Sequence, residues 1–328
     1  MTVQRNPFFV VITMLFTVAS TMAVTAPDAA AVDPVAPSYT FTSIPYPGSS
    51  VAWSFGINNY FSTVGEAYVP DGINTYVRYG DGTFSQIASE GGSVAAYGIN
   101  NLGQIVGANG NTSTGFLIDK GGTFASASVL AYPNAFFTTA NAINDTGVVV
   151  GNFCLTENSG CSAYFRDQNG NYFELTYPGS TVTQAYGVND WDEIVGNYNV
   201  GTGVGPTGIP YNYGYLRCPG GGFVSIVYPG AAQTLPTGIN NHGSIVGVYW
   251  SPSLGSHGFL RHREGTFDTV DYPGSTTTWP WAINDAGAIS GYYTGPKTSN
   301  DAFLALRTDT AASETNIEDE TGQHACRF

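Results

Sequence analysis

Short apolar runs, each closed by a polar turn, follow one another from Tyr39 to about Leu306, and the pattern repeats. Its clearest core is a Gly/Ala–Ile/Val–Asn step, then a polar turn, a Gly and another apolar run. The step stands at Gly56-Ile57-Asn58, Gly98-Ile99-Asn100, Ala142-Ile143-Asn144, Gly187-Val188-Asn189, Gly238-Ile239-Asn240 and Ala282-Ile283-Asn284. Successive asparagines lie 42, 44, 45, 51 and 44 residues apart, and a glycine recurs seven residues beyond each, from Gly65 to Gly291. Six copies in one register make the repeat the organising feature of the chain.

Each copy predicts four short strands. The first runs through the Asn, as at Val94 to Asn100, and a turn of Asn, Asp and Gly leads to a second such as Gln104-Ile105-Val106-Gly107. The third is marked by steps such as Gly115-Phe116-Leu117 and Ala163-Tyr164-Phe165. The fourth follows a Gly turn and ends in Tyr-Pro-Gly, at Tyr177, Tyr228 and Tyr272. Asn/Asp–Gly steps between β-rich runs supply the positive φ that tight hairpins need. Four-stranded repeats of this length are the signature of β-propeller blades. The ends argue for a closed ring: after Leu306 the sixth copy lacks its fourth strand, and Tyr39-Thr40-Phe41 through Tyr46-Pro47-Gly48 matches Gly265 through Gly274. The expected fold is all-β, a six-bladed β-propeller whose N-terminal strand completes the last blade and removes the open edge.

Composition sharpens this picture. Gly contributes 42 residues, aromatics 14% and charged residues only 10%, which disfavours a helical bundle and suits strands joined by turns. A formal net charge of −14 excludes a nucleic-acid partner, because nothing could neutralise a row of phosphates. Part of that excess lies in the tail from Glu314 to Glu320.

The first residues predict export. Arg5 precedes an apolar run from Phe8 to Ala19, too short to span a bilayer, and small residues follow. Residues 1–31 read as a signal peptide cleaved within 23–31, 32–38 as a linker, 39–307 as the propeller and 308–328 as an acidic tail. The expected protein is secreted or extracellular (periplasmic or at the cell surface in a bacterium), monomeric, and without a membrane span after processing. Cys154 and Cys161 flank a loop and suit a local disulfide. Cys218 and Cys326 form a possible second pair, although four cysteines allow three connectivities.

Ile-Asn-x-x-Gly and Ile-Val-Gly, with a His/Asp–Gly/Ala–Phe step at His257-Gly258-Phe259 and Asp301-Ala302-Phe303, resemble the HAF family of extracellular repeat proteins. The resemblance spans Tyr39 to about Leu306. It implies secretion and repeat architecture and transfers no catalytic residue.

Candidate ligand contacts are aromatics near the axis: Trp53, Tyr97, Tyr186, Trp279 and Trp281, with Gln184 as a polar companion. Sugars pack apolar C–H faces on such rings. Trp53, Trp279 and Gln184 stand out because the repeat does not account for them. The recurring Tyr of Tyr-Pro-Gly reads as packing, and Asp145, Asp190 and Asp285 read as turn formers. The long loops at Asn197 to Tyr213 and Tyr249 to His257 are expected on the ligand face, and the Asn/Asp–Gly turns on a plain opposite face. Trp191-Asp192-Glu193 breaks the turn pattern. His242, His257 and His262 are not expected to converge, and no catalytic residue, metal site or cofactor is expected. The leading reading is a secreted binding or adhesion module for glycan or cell-surface polymer. The alternative is an extracellular polysaccharide hydrolase or lyase at the axial mouth, and a third is a purely structural repeat protein.

Overall fold

The computed structural model describes residues 39–88, 94–157, 160–201, 212–253, 255–296 and 300–308. The predicted signal peptide, linker and acidic tail, Cys326, and most of the Asn197 to Tyr213 loop lie outside them. Six four-stranded antiparallel sheets are arranged as the blades of a β-propeller, and among the described residues the helical content is one short 3-10 turn at Phe124–Ser126. The inner strands are Val51–Ile57, Val94–Ile99, Phe137–Ile143, Val182–Val188, Gln233–Ile239 and Thr277–Ile283. Five sheets are built from consecutive strands. The sixth takes Tyr39–Ser43 as its outer strand, paired in register from Tyr39 opposite Arg307 to Ser43 opposite Phe303.

Packing explains the repeated residues. The third strand of each blade carries a buried ring, Tyr76, Phe116, Tyr164, Tyr215, Phe259 or Phe303. That ring lies over the recurring glycine of the second strand. A Cβ on Gly151 would collide with the Thr139 carbonyl oxygen and stand 3.0 Å from the Tyr164 ring. Only glycine admits the aromatic there. The Tyr of Tyr-Pro-Gly, and of Tyr-Pro-Asn at Tyr132, packs too: Tyr132, Tyr177, Tyr228 and Tyr272 stack on Phe153, Tyr198, Tyr249 and Tyr293 at centroid separations of 3.6–3.7 Å. Their backbone N–H groups donate to the hydroxyls of Thr138, Thr183, Thr234 and Thr278. The expected role in packing holds.

Cys154 and Cys161 face each other across the second and third strands of blade three and are joined by a disulfide. Cys218 is disulfide-bonded as well. Among the described residues no helix is long and apolar enough to cross a membrane.

Candidate functional site

The inner strands end in the Asn turns, which define one face of the ring; the Tyr-Pro-Gly connections and the loops between second and third strands define the other. On the turn face the repeated asparagines form a closed circle. The Nδ2 of Asn58 donates to the carbonyl of Asn100, and the same bond runs through Asn100, Asn144, Asn189 and Asn240 to Asn284, which returns to Asn58. Each Oδ1 meanwhile accepts the backbone N–H four residues on, from Ser62 to Ala288, fixing its own turn. One residue further, a second circle links the blades: the N–H of each turn donates to the side chain of Asn101, Asp145, Asp190, Asn241, Asp285 or Asn59 in the next. Asp145, Asp190 and Asp285 therefore join neighbouring blades, where the sequence suggested local turn formation. The turn-forming acceptor is the preceding Asn. Asp192 and Glu193 are drawn in as well, accepting from Asn144 and Asn189 at 3.1 and 2.7 Å.

These circles frame an axial cavity of about 100 Å³. That is room for about three waters, well short of the roughly 300 Å³ or more of ordinary ligand pockets. Its size follows from the Gly/Ala position: a Cβ on Gly98 would stand 2.9 Å from the Ala142 Cα, and one on Gly238 2.8 Å from the Ala282 Cα. The cavity thus lies on the face expected to be plain.

A register shift in every inner strand supplies the inner wall. The residue before the Gly/Ala is bulged out of the ladder, as between Ser54 and Gly56, so that Phe55, Tyr97, Asn141, Tyr186, Thr237 and Trp281 line the cavity. A bulge re-aims a side chain without breaking the strand. Phe55 lies 5.4 Å from Tyr97 and 5.2 Å from Trp281, centroid to centroid. Burial pushes the hydroxyls of Tyr97 and Tyr186 far above the ordinary phenol range, Glu66 adding to the effect at Tyr97.

Three sequence candidates, Tyr97, Tyr186 and Trp281, belong to this cavity wall. The other three, Trp53, Gln184 and Trp279, do not line it; they precede the bulge and stand toward the loop face. All three are half-buried. Gln184 accepts the Tyr186 hydroxyl at 2.9 Å and so connects the two levels. Trp279 stacks on Tyr292, the Tyr292 ring meets Trp53 edge-on at 6.5 Å, and Trp53 meets Tyr68 at 5.2 Å. The result is an aromatic band across blades six and one.

Glu66 stands directly across the ladder from Trp53 and is 5% exposed. Burial alone raises its carboxyl to about 8. Sequence reasoning missed it, together with Tyr68 and Tyr292. Aligning the second strands would have exposed the anomaly, since the equivalent residues are Ala108, Asn152, Asn197, Val248 and Tyr292.

The histidines stay apart. Asp271 lies 2.6 Å from His257 Nδ1, Asp268 lies 2.5 Å from His262 Nε2, and His242 sits in a turn beside the Asn circle. Among the described residues no three His, Cys, Asp or Glu side chains are grouped to hold a metal ion.

No family model matches the chain, and no curated protein matches it either. Solved propellers do. The gluconolactonase from Xanthomonas campestris is 12% identical, with 82% of this chain and 89% of that one covered and a TM-score of 0.53. TolB from Acinetobacter baumannii is 12% identical over 80% of this chain and 65% of that one, at a TM-score of 0.55. A luciferin-regenerating enzyme is 7% identical over 82% and 95%, at 0.51. At such identities the likeness establishes the six-bladed architecture alone.

Proposed function

We propose that this chain is an exported binding module that holds a glycan or another extracellular polymer on the aromatic band at the loop-side mouth of its axis. The single observation that carries this reading is the run Trp279–Tyr292–Trp53–Tyr68, half-buried and continuous, at positions that the repeat leaves free to vary. Its rings offer apolar faces to sugar C–H groups, and Gln184 stands at the same level to meet hydroxyls. The disulfide between Cys154 and Cys161 fits an oxidising compartment, and the resemblance to the HAF repeat points the same way. The hydrolase or lyase reading draws no support from the axial cavity. Asp145, Asp190 and Asp285 there already accept N–H donors from the neighbouring turns.

A glycan-binding screen on the processed protein tests the proposal, with Trp53→Ala and Trp279→Ala alongside. Wild type should bind at least one polymer class, and each substitution should weaken that binding about tenfold or more, as for a central aromatic anchor. Thermal melts of each variant separate lost binding from lost fold. Absence of binding in wild type, or binding indifferent to both changes, would overturn it.

A further inference from the structure

The Glu66 carboxyl has no ordinary structural explanation. Among the described residues it makes neither a hydrogen bond nor an ion pair, although it is 5% exposed. Its counterpart one blade pair away is put to use: Asn152 accepts the Ala185 N–H of the following inner strand. A buried acid without a partner is costly and is kept neutral instead.

Its surroundings are aromatic. Trp53 is its cross-strand neighbour, and Tyr68 lies two residues along on the same face of the strand. The carboxylate is near enough to the hydroxyls of Tyr68, Tyr76 and Tyr97 to raise all three. From the third strand, Thr75 stands opposite Glu66 but spends its hydroxyl on the Val94 carbonyl at 2.5 Å. Arg78, on that strand too, acts on Tyr76, and burial is the sole cause of the shift at Glu66. No cation answers this carboxyl from any strand packed on it.

The described cations are confined to one face, the turn face, which carries acids as well, Asp145, Asp190, Asp192, Glu193 and Asp285 among them. All seven described Lys and Arg residues (Arg78, Lys120, Arg166, Arg217, Arg261, Arg263 and Arg307) lie at turn-face ends of third strands or in the turns after them. At the loop-face ends stand Asp71, Glu157, Asp271 and Asp301; Lys297 lies outside the described residues. The aromatic band therefore opens on a face that carries acids and, among the described residues, no Lys or Arg. Aromatic rings around a carboxylate form a setting for an organic ammonium, which gains from ring quadrupoles and from the counter-charge together.

We propose that the polymer bound at this mouth carries free amines, an amino sugar without its acetyl group, and that Glu66 is the counter-ion of that ammonium. This rests on the glycan reading above and names its ligand class. On binding, the Glu66 O–H bond breaks, the proton leaves to solvent, and the carboxylate pairs with the ammonium, so association and deprotonation are linked.

Isothermal calorimetry at about pH 5.5, where the oligomer's amines are fully protonated and Glu66 still holds its proton, tests this with three probes of equal length: glucosamine oligomers, N-acetylglucosamine oligomers and β-1,4-glucose oligomers. Repeating each titration in two buffers of different ionisation heat counts the protons released. The amine-bearing oligomer should bind about tenfold or more tighter than the acetylated one and release about one proton. Glu66→Gln, an isosteric neutral replacement, should remove both the preference and the release. Equal binding of acetylated or neutral oligomers, with no proton released by wild type, overturns the ammonium assignment and leaves the glycan reading standing. If no oligomer binds, the ammonium assignment falls, and the glycan reading is decided by the polymer screen. The proton count is read on wild type, so the outcome stands even if the variant fails to fold.

Discussion

A single missing methyl group decides whether each blade can form. In blade three the Tyr164 ring crosses the second strand above Gly151, and its hydroxyl donates to the Thr139 carbonyl at 2.8 Å. Gly151→Ala should cost about 3 kcal/mol, because neither the carbonyl nor the ring can move aside in a closely packed sheet. Gly220→Ala, where nothing lies within 4 Å of the added Cβ, should stay within about 0.5 kcal/mol. Urea unfolding of both variants checks the contrast, and equal costs would refute this account of the recurring glycine. At this scale the sequence was legible wherever a residue recurred. Tyr97, Tyr186 and Trp281 were recognisable as axial because the step they precede is repeated six times. Glu66 was not, since its meaning lies in which neighbours fail to pair with it, and those come from the strands on either side of it and from the next blade.

Among elements, the turns carry more than their shape suggests. Four of the inner-to-second turns place glycine at the third position after Asn with positive φ (Gly103, Gly147, Gly243 and Gly287), while Phe61 and Asp192 adopt φ of 59° without that freedom. The same turns hold the blades together through the two Asn/Asp circles. Asn144→Ala would remove the bond to the Asn189 carbonyl at 2.9 Å and strand the buried Val148 N–H, which donates to Oδ1 at 2.8 Å. We expect a loss of about 2–4 kcal/mol by urea unfolding. Asn59→Ala, on the exposed outer circle, should cost about 1 kcal/mol or less. Comparable losses would mean that burial does not distinguish the circles. The turn motif was plain in the sequence, but its reach was not. An Asn that shapes its own turn and one that also grips the next blade read alike until the ring brings residues 42 to 51 positions apart into contact.

For the whole molecule, closure rests on five residues. Tyr39–Ser43 covers the edge of the strand Asp301–Arg307, and Phe41 meets Phe303 and Tyr272 at 5.6 Å. Deleting residues 39–43 should leave that edge unpaired and abolish a cooperative melt, with association visible by size-exclusion chromatography. A circular permutant that begins at Ser49 and carries Tyr39–Gly48 after Arg307 through a short linker should keep its melting temperature within about 5 °C, because only the presence of the strand matters. A permutant that failed to fold would show that chain order matters beyond edge coverage. The split sixth copy made this closure predictable.

The sequence by itself determined the blade count, the four-strand unit and the closing strand. All of these follow from local periodicity and turn chemistry repeated in register. Only the tertiary structure decided which face carries the cavity, how small it is, and which side chains share a mouth. Those outcomes depend on how closely six inner strands approach one another and on a one-residue bulge in each. Composition and spacing do not encode the distance between blades, so Glu66 and the aromatic band beside it came into view only once the ring was closed.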